Sequence, residues 1–136
     1  MSFVLDASVT ASWFFPDEEN ADASEAWRRS ATEDVMVPLH WWFEVRNAML
    51  TAERRGRISE RLTSIALSRL SRLPITTASR PDEADVFALA RKHCLTFSDA
   101  VYLELAQQRN MPLATLDDHL AAAANIEGVG VIGSQT

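Results

Sequence analysis

The chain has 136 residues, a net charge of −6 and 47% apolar residues. That length is one domain with one core, and no apolar run reaches the ~20 residues of a membrane span. Excess negative charge counts against a nucleic-acid partner. The objection weakens because twelve of the thirteen basic residues are Arg, suited to bidentate phosphate contacts, and because a bound cation inverts the field of an acidic cluster.

Phe3-Val4-Leu5 predicts a short buried strand ending at Asp6. A helix follows from Ala7 to about Phe14, stopped before Pro16, and a second from Asn20 to about Ser30. Val35-Met36-Val37 is a strand closed by Pro38, and a long helix runs from about Leu39 to Arg55, ended by Gly56. Ser59 caps the next helix, to about Ser71. Pro74-Ile75-Thr76-Thr77 is a third strand. Pro81–His93 is a helix with Pro in its first turn, and Phe97 to about Gln108 is another. Pro112–Leu116 is a strand, Asp118 to about Ala124 a helix, and Val129–Ile132 a last short strand. Strands alternating with helices predict one α/β domain over residues 1–136. It has three α/β/α layers, with a central, mainly parallel sheet. Ligands of such sheets bind beyond the carboxyl ends of the strands.

Acids sit at those ends. Asp6 follows the first strand, and Asp117 follows the Leu113–Thr115 strand. Glu44 lies early in the long helix, and Asp99 in the first turn of its helix. Each also has a plain structural reading: Asp6 and Asp117 as helix caps, Asp99 as dipole compensation, Glu44 as half of a buried pair with Arg. Against that last reading, Glu44 stands among Trp41, Trp42, Phe43 and Val45, where an unpaired carboxylate is costly. Converging carboxylates repel unless a cation neutralises them. Oxygen-only ligands suit Mg²⁺ or Mn²⁺, and two such cations roughly 3.5–4 Å apart promote phosphodiester hydrolysis. No HxxxH or CxxC spacing points to zinc, and His40, His93 and His119 are scattered along the chain. Ser8, Asn47 and Thr115 are polar neighbours able to orient the acids, although capping and turn roles explain them equally.

Four blocks together carry a resemblance: Val4-Leu5-Asp6-Ala7-Ser8; Pro38-Leu39-His40-Trp41-Trp42-Phe43-Glu44-Val45-Arg46-Asn47-Ala48; Thr96-Phe97-Ser98-Asp99-Ala100-Val101-Tyr102; and Leu113-Ala114-Thr115-Leu116-Asp117. In this order and spacing the chain resembles the PIN-domain family, and within it the VapC-like ribonuclease toxins of toxin–antitoxin pairs. The resemblance implies a parallel sheet flanked by helices and a Mg²⁺- or Mn²⁺-dependent endoribonuclease. It further implies a homodimer, and an antitoxin partner whose basic tail would occupy the acidic pocket. Asp6, Glu44, Asp99 and Asp117 fall on the family's acidic positions, and Ser8 and Asn47 on frequent polar neighbours. Asp118 stands beside Asp117, and a shift of one residue would exchange them.

Trp13, Phe14 and Phe15 suit base stacking, a groove for an antitoxin helix, or core packing, which is expected for two of the three. Adjacent Trp41 and Trp42 face different directions on a helix, one into the core and one toward an interface. The helices spanning Leu39–Ser71 carry surplus apolar surface for a dimer face. Arg54, Arg55, Arg57 and Arg61 form either an RNA-facing patch or a solvated helix end. A receiver-like phosphorylation domain would need a Lys after a late strand, whereas Lys92 lies within a helix. A non-catalytic scaffold binding RNA or protein is the remaining alternative. The start of the chain lacks the basic and apolar stretches of a secretory signal, and Cys94 is the only cysteine. The expected location is the cytoplasm.

Overall fold

Four strands and seven helices alternate along the chain in a computed structural model that describes residues 1–133. The last three residues of the expected domain, 134–136, lie outside the described residues. The order is β1 (Ser2–Leu5), α1 (Ala7–Ser12), α2 (Ala21–Ser30), β2 (Asp34–Val37), α3 (Trp41–Arg54), α4 (Glu60–Leu70), β3 (Ile75–Thr77), α5 (Glu83–His93), α6 (Phe97–Arg109), β4 (Leu113–Ala114) and α7 (Asp118–Ile126).

The strands form one parallel sheet in the order β3-β2-β1-β4. Phe3, Val4 and Leu5 of the central β1 are all 0% exposed. Successive strand side chains point to opposite faces, so helices must cover both, which gives the three layers expected. Each such burial is worth ~1.5–3 kcal/mol, and the central position of β1 fixes where its carboxyl end, Asp6, emerges.

Local chemistry sets the element ends. Asn20, Ser59, Asp82, Thr96 and Asp117 cap α2, α4, α5, α6 and α7, each accepting backbone N–H groups of the first turn. Thus α5 starts at Glu83 behind Asp82 rather than at Pro81, and Thr96 caps α6. Helix α1 is two residues shorter than expected, ending at a Trp13 cap.

The expected last strand, Val129–Ile132, reduces to a single parallel bridge between Leu113 and Val131. Gly128 and Gly133, at φ of 78° and 81°, turn the chain on either side and leave no room for a longer ladder. The run still completes the edge of β4: Leu113 N–H donates to Gly130 C=O at 2.8 Å and Ile132 N–H to Leu113 C=O at 3.0 Å. Strand β4 is likewise shorter than expected, because the Thr115 hydroxyl accepts the Asp117 N–H at 3.1 Å and turns the chain out of the sheet.

Candidate active site

The C-terminal ends of β1 and β4 and the N-terminal turns of α1, α3 and α6 meet around one shallow cleft. Its volume is about 280 Å³, and Asp6, Ser8, Glu44, Asp99 and Asp117 line it together with Ala7, Ala11 and Ala48. The small alanines leave the carboxylates as the dominant chemistry of the surface. All four acids picked out in the sequence therefore reach one place, from four different segments.

Asp6 is the most enclosed of them, at 6% exposure. Its Oδ2 accepts two hydroxyl hydrogen bonds, from Thr115 Oγ1 at 2.6 Å and Ser8 Oγ at 2.9 Å. Both hydroxyls are anchored in turn, since each accepts an amide: Asp117 N–H at Thr115 and Leu116 N–H at Ser8. Its Oδ1 takes only a long 3.5 Å contact from the Ser8 N–H. Burial raises the Asp6 carboxyl above its ordinary value and the charge of Glu44 adds to this, against the opposing pull of the two hydroxyls. Burial also raises Asp99, helped by the charges of Asp117 and Asp6. The charge of His40 acts in the opposite direction on Asp99.

Glu44 owes its place to α3, which is pinned to α1 by the Trp41 indole N–H donating to Thr10 Oγ1 at 3.0 Å. Among the described residues no Arg pairs with it. The buried Tyr102 hydroxyl donates to Glu44 Oε1 at 2.7 Å, and His40 Nε2 stands 3.6 Å from the same oxygen. His40 Nε2 lies 3.0 Å from the Ser98 carbonyl, tying the start of α3 to the turn that carries Asp99. Asp117 both lines the cleft and caps α7 through Oδ1, which accepts the Leu120 N–H at 2.9 Å. The cap and cleft roles coexist. Asp118, one residue on, is exposed and does not line the cleft.

Asn47 does not line the cleft; Ala48, four residues after Glu44, takes that position, and Asn47 is exposed. Tyr102 was missed because an aromatic at helical spacing reads as core. It is 0% exposed and does pack there, and only its hydroxyl reaches the site. His93 pairs with Glu127 and His119 bonds the His93 carbonyl, so both are structural. Arg57 belongs to a salt bridge with Asp17 and Glu18, not to a free patch.

This constellation is that of a known fold, and residues 3–126 match the PIN domain family. The chain belongs to the PIN-domain family. The protein named Ribonuclease VapC3 of Pyrobaculum aerophilum is 33% identical over 128 residues, covering 89% of this chain and 93% of that one. A crystal structure of a protein from Pyrobaculum aerophilum superposes at a TM-score of 0.70 with 22% identity, covering 90% of this chain and 84% of that one. A chain of a toxin–antitoxin complex from Klebsiella pneumoniae superposes at 0.57 with 24% identity, covering 88% and 90%. These last two likenesses speak to the fold.

In this PIN domain the donor set is chemically suited to a hard divalent cation, being carboxylate oxygen throughout. Among the described residues no group of three or more His, Cys, Asp or Glu side chains stands close enough together to hold a metal ion as they are placed. The acids ring the cleft instead. An open ring is compatible with Mg²⁺, which keeps several waters and needs only one or two carboxylates beside a substrate phosphate.

Proposed function

We propose that this PIN domain, acting as a single unit over residues 1–136, is a metal-dependent endoribonuclease and the toxin of a toxin–antitoxin pair. The observation that carries the reading is the meeting of Asp6, Glu44, Asp99 and Asp117 in one cleft at the carboxyl edge of the sheet, with none of them ion-paired to Lys or Arg among the described residues. Supporting it, the VapC3 relative bears the name ribonuclease across nearly the whole length of this chain.

When bound, Mg²⁺ or Mn²⁺ supplies the positive charge that a phosphodiester undergoing hydrolysis needs, and it lowers the pKa of water at the site. Asp6, Glu44 and Asp99 would hold the cation, with Asp117 joining directly or through water. Among the described residues Asp6 Oδ1 and Glu44 Oε2 carry no short hydrogen bond, which leaves them able to face it. Ser8 and Thr115 fix the Asp6 carboxylate in one orientation. The chain contributes no nucleophile of its own.

An antitoxin partner suits two surfaces. A basic tail matches the acidic cleft. A cavity of about 660 Å³, lined by Trp13, Phe14 and Trp27 and rimmed by Glu18, Glu19 and Arg69, suits an amphipathic helix. At this groove Phe14 is buried and Trp13 part-exposed, whereas Phe15 is buried and does not line it. A homodimer would use α3 and α4, where Trp42, Phe43, Leu50 and Ile65 are exposed. No helix among the described residues is long and apolar enough to cross a membrane, in keeping with the cytoplasmic location we assign.

The test is incubation of the antitoxin-free protein with structured cellular RNA in Mg²⁺, Mn²⁺ or EDTA, beside Asp6→Asn. Cleavage at discrete sites, abolished by EDTA and by the substitution, is expected. Metal-replete, folded protein that binds RNA without cutting it would favour a non-catalytic scaffold.

A further inference from the structure

We infer that Tyr102 is a positioning residue that holds Glu44 at its working distance from Asp6. The inference rests on the metal-site reading above and deepens it. The Tyr102 side chain comes from α6, whose first turn carries Asp99, and crosses the interior to the junction of β1 and α1. There a single phenol oxygen makes two hydrogen bonds, both to residues of the cleft: it accepts the Ala7 N–H at 3.3 Å and donates to Glu44 Oε1 at 2.7 Å. A phenol has one proton. With its lone pair engaged by the amide next to Asp6, that proton is directed at Glu44. The carboxylate is thereby held by Oε1, and Oε2 is left for the cleft.

The tether spans three elements. Ala7 is bonded directly to Asp6, so the phenol measures out the separation of α3 from the end of β1 at the point where both acids emerge. The ring itself cannot drift. It is fully buried, and His40 packs edge-on against it with ring centroids 4.9 Å apart. His40 is in turn bonded to the Ser98 carbonyl, so the turn bearing Asp99 joins the same frame. Outer hydrogen bonds of this kind typically govern metal affinity or activity by about 10–100-fold.

The experiment titrates Mn²⁺ alone into wild type, Tyr102→Phe, Glu44→Gln and the double variant by calorimetry, with metal-free melting curves recorded alongside. Tyr102→Phe is expected to weaken Mn²⁺ binding ~10-fold or more, and to add almost nothing in the Glu44→Gln background, because residues acting as one unit are non-additive. Ala7→Pro is a second probe that leaves the aromatic core intact. It deletes the amide donor, at the first position of α1 where Pro is tolerated, behind an Asp6 already extended at ψ of 146°. It should weaken Mn²⁺ binding in the same direction by a smaller factor. Wild-type affinity in both variants would overturn the inference, as would an equal loss from Tyr102→Phe with and without Glu44. If wild type bound no Mn²⁺, or Asp6→Asn bound it equally well, the metal-site reading would fail and this inference with it.

Discussion

Two ends of the same molecule treat carboxylates in opposite ways. At the carboxyl edge of the sheet, Asp6 and Asp99 are raised above the ordinary carboxylate value by burial and by neighbouring acids. Where α5 and α7 end, Glu127 receives Lys92 Nζ at 2.7 Å, His93 Nε2 at 2.6 Å and Gln107 Nε2 at 3.2 Å. The hydrogen bonds of Lys92 and then His93 hold its carboxyl down to about 2. One site satisfies its acid completely and gains stability. The other leaves its acids buried beside one another, a cost that the proposed cation would relieve.

The contrast breaks most sharply on Asp6. Asp6→Asn should reduce RNA cleavage by more than ~100-fold, beyond what changes around a metal ligand usually cause. In the absence of metal it should nonetheless raise the melting temperature, by roughly 2–4 °C for each kcal/mol of relieved repulsion. Thr115→Val removes one of the two hydroxyls on Asp6 Oδ2 and should lower Mn²⁺ affinity or cleavage by about 10–100-fold with the fold retained, read by calorimetry and circular dichroism.

Glu127→Gln should do the reverse, leaving cleavage unchanged and costing about 1.5–3 kcal/mol at pH 7 by chemical denaturation, the scale of hydrogen bonds to charged groups. The pH dependences of the two ends are opposite in sign. Because Glu127 is held low when folded, its stabilisation is complete above 4.5 and is lost as pH falls through about 2. Wild type and Glu127→Gln should therefore converge in stability near pH 2. Because Asp6 and Asp99 are raised, their penalty is absent below 3.8 and grows as pH rises through the folded values. Asp6→Asn should then match wild type in acid and exceed it at neutral pH. The smallest effects separate Asp117 from its neighbour. Asp117→Asn keeps a capping side chain, so the melting temperature should hold while cleavage falls, whereas the exposed Asp118→Asn should stay within ~0.5 kcal/mol and leave cleavage intact.

The strands and the acids that follow them were legible because their signals are local. Three consecutive apolar residues before Asp6 fit a short buried strand with a polar exit, and Glu44 stands out among tryptophans. The contacts between segments were not legible. Glu44 was weighed against a buried Arg, yet its partner is Tyr102, 58 residues away, and nothing in helical periodicity separates a core tyrosine from one whose hydroxyl reaches a site. Asn47, expected as a polar neighbour of the acids, stands three residues from Glu44, and α3 presents Ala48 to the cleft at a spacing of four. The run Val129–Ile132 has strand composition, and only the glycine turns on either side of it, at Gly128 and Gly133, hold it to one bridge.

The most direct test of the central claim, that the acids of the cleft are left unpaired to take a cation, is a melting curve of wild type and Asp6→Asn with and without Mn²⁺. At 100 times the dissociation constant, bound metal should stabilise wild type by about 2.7 kcal/mol and leave Asp6→Asn unmoved. Equal shifts in both proteins, or none in wild type at millimolar Mn²⁺, would contradict it.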